Sequence, residues 1–169
     1  MNELTRLIAQ HGLLPHPEGG FYKEEHRARQ QVRVSGCAVD RSAYTSIYYL
    51  LLGDDFSAWH RIASDETWFF HSGCDLAIYS FAQNGQLQRQ VLGTTSGVFQ
   101  LTIPAHTWFA AQPEVYTSGS FVSCVVAPGF EFQDFELASR QYLVETYGQS
   151  ADSRAKIQAF TRDRGSSSP

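Results

Sequence analysis

Residues 59 to 73 read WHRIASDETWFFHSG and carry the pair with the most evident chemistry in the chain, His60 and Glu66. An imidazole and a carboxylate brought together can ligate a metal, pass a proton or simply hold each other. The residue types alone leave all three open. FSAWHRI and ETWFFH read as arms of a hairpin turning around Ala63-Ser64-Asp65. Directly opposed antiparallel residues have Cβ atoms roughly 4.5–5.5 Å apart, so a hairpin predicts that His60 and Glu66 meet. By strand alternation Ala58, His60 and Ile62 share one face, and Glu66, Trp68 and Phe70 share another. If those faces turn inward, two polar groups enter an aromatic interior, which is costly unless they pair or bind something.

Other residues are drawn in by position. Trp68 and Phe70 are expected to wall the pocket. Tyr48, on the neighbouring IYYLLL strand, is either a proton donor on the opposite wall or a hydrogen-bonded barrel residue. Glu24, in HPEGGFYKEE, is a candidate ligand contact on a segment that reads first as a turn and an edge strand. Gln100 stands where it could add a weak third metal ligand to His60 and Glu66. Stable first-row metal sites usually use three or four protein ligands, so no cofactor is expected, and a divalent transition metal is the lesser reading.

The elements that must position these groups are mostly strands. Leu4, Leu7 and Ile8 mark a short helix that Gly12 stops, and Pro15 and Pro17 then forbid helix. From residue 43 to 136, runs rich in β-branched and aromatic residues alternate with turn signals. Asn84-Gly85, between DLAIYSF and LQRQVL, is the strongest short hairpin signal. Pro104, Pro113 and Pro128-Gly129 end three further runs. Short strands at this spacing predict an all-β sandwich or barrel rather than βαβ units. ASRQYLVETYG reads as a helix closed by Gly148 and SRAKIQAF as a weaker one, so residues 1–148 form the expected domain and residues 149–169 a helical or disordered tail.

Composition narrows the classes. The chain has 169 residues, a formal charge of −4 and thirteen scattered Lys and Arg, without the basic stripe that phosphate neutralisation needs, so no nucleic-acid partner is expected. The longest apolar run, IYYLLL, is too short to cross a bilayer. Cys37, Cys74 and Cys124 contain no C-x-x-C pair and read as free thiols of a cytoplasmic protein.

The His60–Glu66–Gly73 spacing resembles the first motif of the cupin superfamily, in which a His-x-His is followed by a glutamate and, six residues later, a glycine. Ile62 stands in place of the second histidine. The second motif, Pro-x-Gly-x-x-His, is matched at Pro104, but His106 occupies the glycine position and Phe109 the histidine position. With LLPHPEGGFYKE, SIYYLLL, IPAHTWFAA and VAPGFEFQDFEL, the chain resembles the Cupin_5 (DUF985-type) subgroup over residues 1 to 137. That resemblance implies a double-stranded β-helix, a jelly-roll barrel, usually as a homodimer, with similarity to seed storage proteins and deoxysugar epimerases. It supplies no reaction.

Three functions follow from these readings. The first is a small-molecule-binding protein acting on a polar metabolite such as a sugar derivative, isomerase- or epimerase-like, with His60 as base, Glu66 as its orienter and Tyr48 as acid. The second is the same pocket without catalysis. The third, least supported by the ligand pattern, is a metal-dependent oxygenase.

Overall fold

The computed structural model describes residues 3–34 and 39–162. Helix α1 (Glu3–His11) leads into β1 (Leu14–Pro15), β2 (Phe21–Arg27), β3 (Gln31–Val32), β4 (Arg41–Ser42) and β5 (Thr45–Leu52). There follow β6 (Ser57–Ile62), β7 (Asp65–Gly73), β8 (Leu76–Phe81), β9 (Leu87–Leu92) and β10 (Gln100–Ile103). The chain continues through β11 (Phe109–Pro113), β12 (Gly119–Ala127), a single 3-10 turn (Phe132–Asp134), β13 (Phe135–Leu137), α2 (Arg140–Tyr147) and α3 (Ala151–Ala159). Helix longer than one turn is confined to the two ends of the described chain, as the turn punctuation predicts.

A six-stranded sheet, β1-β2-β5-β12-β7-β10, faces a five-stranded sheet, β13-β6-β11-β8-β9, and all the pairings are antiparallel. Strand alternation fills the space between them. Tyr49 and Leu51 of β5, Trp68 and Phe70 of β7, and Val122 and Cys124 of β12 meet Leu76, Ile78, Phe109 and Ala111 from the other sheet. The intervening residues face outward. Leu50 and Phe121 lie under α1 with Leu4 and Leu13. On β8, Ala77, Tyr79 and Phe81 face Trp59, Leu143, Ile157 and Phe160, so this strand is buried on both faces.

Helix α3 is therefore part of the packed body. Ile157 is fully buried and Phe160 nearly so, and the boundary drawn after residue 148 falls between two helices resting on one sheet face. Ser139 and Ser150 cap these helices, Ser150 Oγ accepting from Ser153 N at 3.0 Å. Residues 163–169 of the expected tail lie outside the described residues, as does Cys37; Cys74 is half-buried and Cys124 buried, both as free thiols.

One local expectation is corrected. β6 and β7 do not form a hairpin: β6 pairs with β11 and β13, and β7 with β12 and β10. Both edges of each strand are taken by distant segments, so residues 63 and 64 make a corner that carries the chain from one sheet to the other. Gly73 ends β7 at φ 100°, and a Cβ there would lie 2.1 Å from Gly119 O, so a glycine is required.

Candidate functional site: a buried carboxylate–imidazole pair in the barrel

A cavity of about 130 Å³ opens between the sheets where β5 and β7 begin and β6 and β12 end, beside Thr45, Glu66, Ile62 and Val126. Its polar depth is built on β6. His60 is only 2% exposed and packs against the rings of Phe109 and Phe135. Its Nδ1 lies 2.7 Å from Ala58 O. A carbonyl oxygen only accepts, so Nδ1 carries a proton. The other nitrogen, Nε2, lies 3.2 Å from Oε2 of Glu18. The imidazole and the Glu18 carboxyl thus stand at ion-pair distance inside the cavity.

Glu18 arrives on the loop between β1 and β2, and that loop is anchored from several sides. Its second oxygen accepts from Ser57 Oγ at 2.8 Å. Its carbonyl accepts from Ala58 N at 2.8 Å and from Arg162 Nε at 3.0 Å. Tyr49 donates its hydroxyl to Gly19 O at 2.8 Å, and Gly20 N donates to Asp55 Oδ2 at 2.7 Å. Arg162 also pairs with Asp55. Gly19 has φ 118° and a Cβ would lie 2.1 Å from Phe56 O, so the loop cannot approach the barrel with any other residue there. His16, on the same loop, accepts from Glu18 N at 3.3 Å, and burial lowers its pKa, against the pull of the Glu18 charge.

The second carboxyl behaves differently. Glu66 is buried, and burial first, then the nearby Glu18 charge, push its pKa up to about 8. It is therefore a neutral carboxylic acid at pH 7, able to donate a hydrogen bond. Cys124 and Trp68 lean toward it and oppose the shift. The Trp68 indole N–H does so without forming a direct hydrogen bond. Burial, with the Glu66 and Glu18 charges, holds the Cys124 thiol well above its usual range. At the mouth stand Glu24, Arg27, Glu131 and the aromatic rings of Tyr22, Phe130 and Phe132.

His60, Glu66, Trp68 and Glu24 all line this cavity. The partner expected for His60 is replaced: its carboxylate is Glu18, because the corner between β6 and β7 removes the cross-strand opposition on which a Glu66 pairing rests. Tyr48 faces the opposite side of β5, against His11 and Phe121 under α1, and Tyr49 is the tyrosine that reaches the cavity. Phe70 turns inward but packs in the core away from the lining. Gln100 is exposed and pairs with Phe69, on the outward parity of β7. Glu18, His16, Arg27 and Cys124 were not singled out by spacing. For Glu18 the available signal is a carboxylate fixed between Pro17 and Gly19-Gly20, which reads as a turn until the barrel closes over it.

Metal ligation can be judged from the donors. Ile62 and Phe109, at two ligand positions of the cupin pattern, bring hydrocarbon to the cavity and the core, and both nitrogens of His60 already have partners. Among the described residues no group of three or more His, Cys, Asp or Glu is arranged to hold a metal ion. The side chains present do not fit a three- or four-ligand first-row site. His106 is exposed on the turn at φ 63°, the left-handed position that the motif's glycine would occupy and that histidine tolerates better than most residues.

Two facing antiparallel sheets with an aromatic-walled, polar-floored cavity between them define a cupin barrel. The chain belongs to the family described as Cupin superfamily (DUF985), whose model matches residues 5–138. It is 28% identical over 149 residues to an uncharacterized protein of Saccharomyces cerevisiae, YML079W, covering 79% of this chain and 74% of that one. A hypothetical protein from Leishmania major superposes with a TM-score of 0.86 at 30% identity, covering 96% of this chain and 100% of that one. Protein SO0799 from Shewanella oneidensis does so with 0.85 at 34% identity, covering 97% and 100%. Oxalate decarboxylase from Bacillus subtilis shares the fold alone, with a TM-score of 0.55 at 12% identity over 86% of this chain and 36% of that one.

Proposed function

We propose that this cupin binds a small polar metabolite in the barrel cavity and moves a proton on it, as an isomerase or epimerase does. The observation that carries the reading is the presence in one cavity of two carboxyls in different settings: Glu18 at 3.2 Å from His60 Nε2, and Glu66 held neutral by burial. A neutral acid and an imidazole-backed carboxyl placed in one cavity suit paired acid and base roles. In a hydroxy-carbonyl ligand, the neutral Glu66 donates a hydrogen bond to the carbonyl oxygen. The Glu18 carboxylate, backed by His60, takes the proton from the adjacent carbon. The C–H electrons form the enol C=C, the carbonyl π electrons pass to oxygen, and Glu66 supplies that oxygen's proton. Glu18 then gives its proton back to carbon while an enol O–H returns one to the Glu66 carboxylate. Delivery to the former carbonyl carbon isomerises the ligand, and delivery to the other face of the original carbon, after the enol turns in the cavity, epimerises it. No oxidant or metal enters the balance.

The test is exchange. The protein is incubated in D2O with uncharged hydroxy-aldehydes and hydroxy-ketones, and loss of the α C–H signal is followed by proton NMR. Exchange with at least one compound, lost in Glu18→Gln, is expected. A panel that neither exchanges nor shifts the Trp68 indole N–H signal overturns the reading. A second reading, a binding protein without catalysis, is favoured by the engagement of both His60 nitrogens. It predicts indole shifts without exchange.

We also propose a cytoplasmic homodimer. Beyond Tyr22 the outer edge of β2 has no strand partner among the described residues, and such edges are normally covered. A monomer mass by light scattering at micromolar concentration would remove the dimer. The free thiols of Cys74 and Cys124 support the reducing compartment, and cell fractionation tests it. No helix among the described residues is long and apolar enough to cross a membrane.

A further inference from the structure

The charges around the cavity are unevenly matched. Among the described residues, Arg27 is the one lysine or arginine on its lining, against Glu18, Glu24, Glu66 and Glu131. That guanidinium is already committed. Its Nε and Nη2 donate to the two carboxylate oxygens of Glu24 at 3.0 and 2.9 Å, and Nη1 donates to Glu131 at 2.7 Å. Nη2 also donates to Phe130 O at 3.0 Å. Guanidinium has five N–H donors, and these four bonds leave a single one. Deeper in stand two histidines: His60 has both nitrogens engaged, and burial lowers the pKa of His16, disfavouring its charged form. Beside them stand two uncharged donors, the Glu66 carboxylic acid and the Trp68 N–H, the latter without a direct partner.

We infer that the Arg27–Glu24–Glu131 cluster sets the charge specificity of the cavity, closing it to anions and reserving it for uncharged polar ligands. This rests on the binding reading above. A phosphate or carboxylate entering the cavity would lose its hydration and meet a guanidinium whose single charge two carboxylates outweigh, so its desolvation would go uncompensated. An uncharged hydroxy-carbonyl compound has no such cost. It places an acceptor oxygen on Glu66 and its carbon skeleton against Tyr22 and Phe132. The substrate class is thus a free hydroxy-carbonyl compound, in preference to its phosphorylated, nucleotide-linked or acidic forms.

The cluster can be opened without threatening the fold, since Arg27, Glu24 and Glu131 are 36%, 38% and 43% exposed, and pairs at that exposure contribute little to stability. The probe is inorganic phosphate, titrated to millimolar concentration against 15N-labelled protein while the Trp68 indole N–H is observed. Wild type is expected to show no saturable shift. Glu24→Gln combined with Glu131→Gln frees Arg27 and is expected to gain one, which Arg27→Gln in the same background removes. A saturable shift in wild type overturns the inference, and so does a folded double variant that gains none. If the double variant fails to fold, Glu131→Gln alone is read by the same criterion. An unresponsive panel of uncharged hydroxy-carbonyl compounds would sink the binding reading instead, and that arm is scored separately from phosphate.

Discussion

Trp59 and His60 are adjacent on β6 and almost equally buried, at 1% and 2% exposure, yet they serve opposite faces of the same sheet. Trp59 points toward α2 and α3, where it stacks on Phe81 and packs with Leu143, Ile157 and Phe160. That face is nearly all hydrocarbon and ring. Its polar indole N–H is satisfied by Lys156 O at 3.0 Å. His60 points into the barrel, where Glu18, Glu66 and Cys124 are also withdrawn from water. One face is stabilised by removing apolar area from water, whereas the other holds polar groups at a desolvation cost that only pairing offsets. Equal burial therefore says little about role. What separates the two faces is whether the buried polar groups are ionisable, since an indole N–H without a direct partner occurs on both, Trp68 inside the barrel and Trp108 on the helical side.

That contrast can be broken most forcefully at His60. His60→Ala leaves the Glu18 carboxylate buried without its imidazole, and removal of one member of a buried pair costs about 3–5 kcal/mol. Urea unfolding should show that loss, with Glu18→Gln in the same assay losing far less because an amide places no charge in the cavity. Equal losses for the two variants would mean that packing rather than charge governs this face. On the other face, Leu143→Ala should cost about 2–5 kcal/mol through transfer and cavity terms. It should leave the indole N–H resonance of Trp68 in place, and a moved resonance would show the two faces to be coupled.

Glu66 sharpens the comparison through pH. Its folded pKa, about 8, lies above its ordinary 4.5, so the folded state holds a proton that the unfolded chain releases first. The associated stability is complete below about pH 4.5 and is lost as pH rises through about 8. Glu66→Gln should abolish this slope between pH 5 and 8, a difference on the order of a few kcal/mol at the alkaline end. Parallel stability profiles for wild type and variant would contradict a buried neutral Glu66. The smallest effect belongs to the helical side: Ser150→Ala should remove the α3 cap for about 1 kcal/mol, read from the unfolding midpoint.

Much of the scaffold was legible from residue order. The alternating runs, the Asn84-Gly85 turn and the proline stops locate the strands, and the His60–Glu66–Gly73 spacing places two residues of the cavity. The misplacements have particular causes. Tyr48 and Tyr49 are neighbours in a run apolar on both faces, so alternation carries no in–out information there, and a one-residue choice reverses the face. The corner after β6 looks like a hairpin because short links between strands look alike until the partners of each edge are known. Glu18 was hidden for a third reason: its partner, His60, belongs to a different sheet, and only closure of the barrel brings them together.

The anchoring of the Glu18 loop also bears on how the molecule is made. Arg162, 144 residues further along, holds the Glu18 carbonyl and pairs with Asp55. On the ribosome the early strands emerge first and can begin to pair while the remainder is still being synthesised. The loop bearing Glu18 then waits for Arg162 to leave the exit tunnel before it has its full set of restraints. The barrel cavity is thus among the last parts of the nascent chain to be completed, and its finished set of restraints does not exist before translation has passed residue 162.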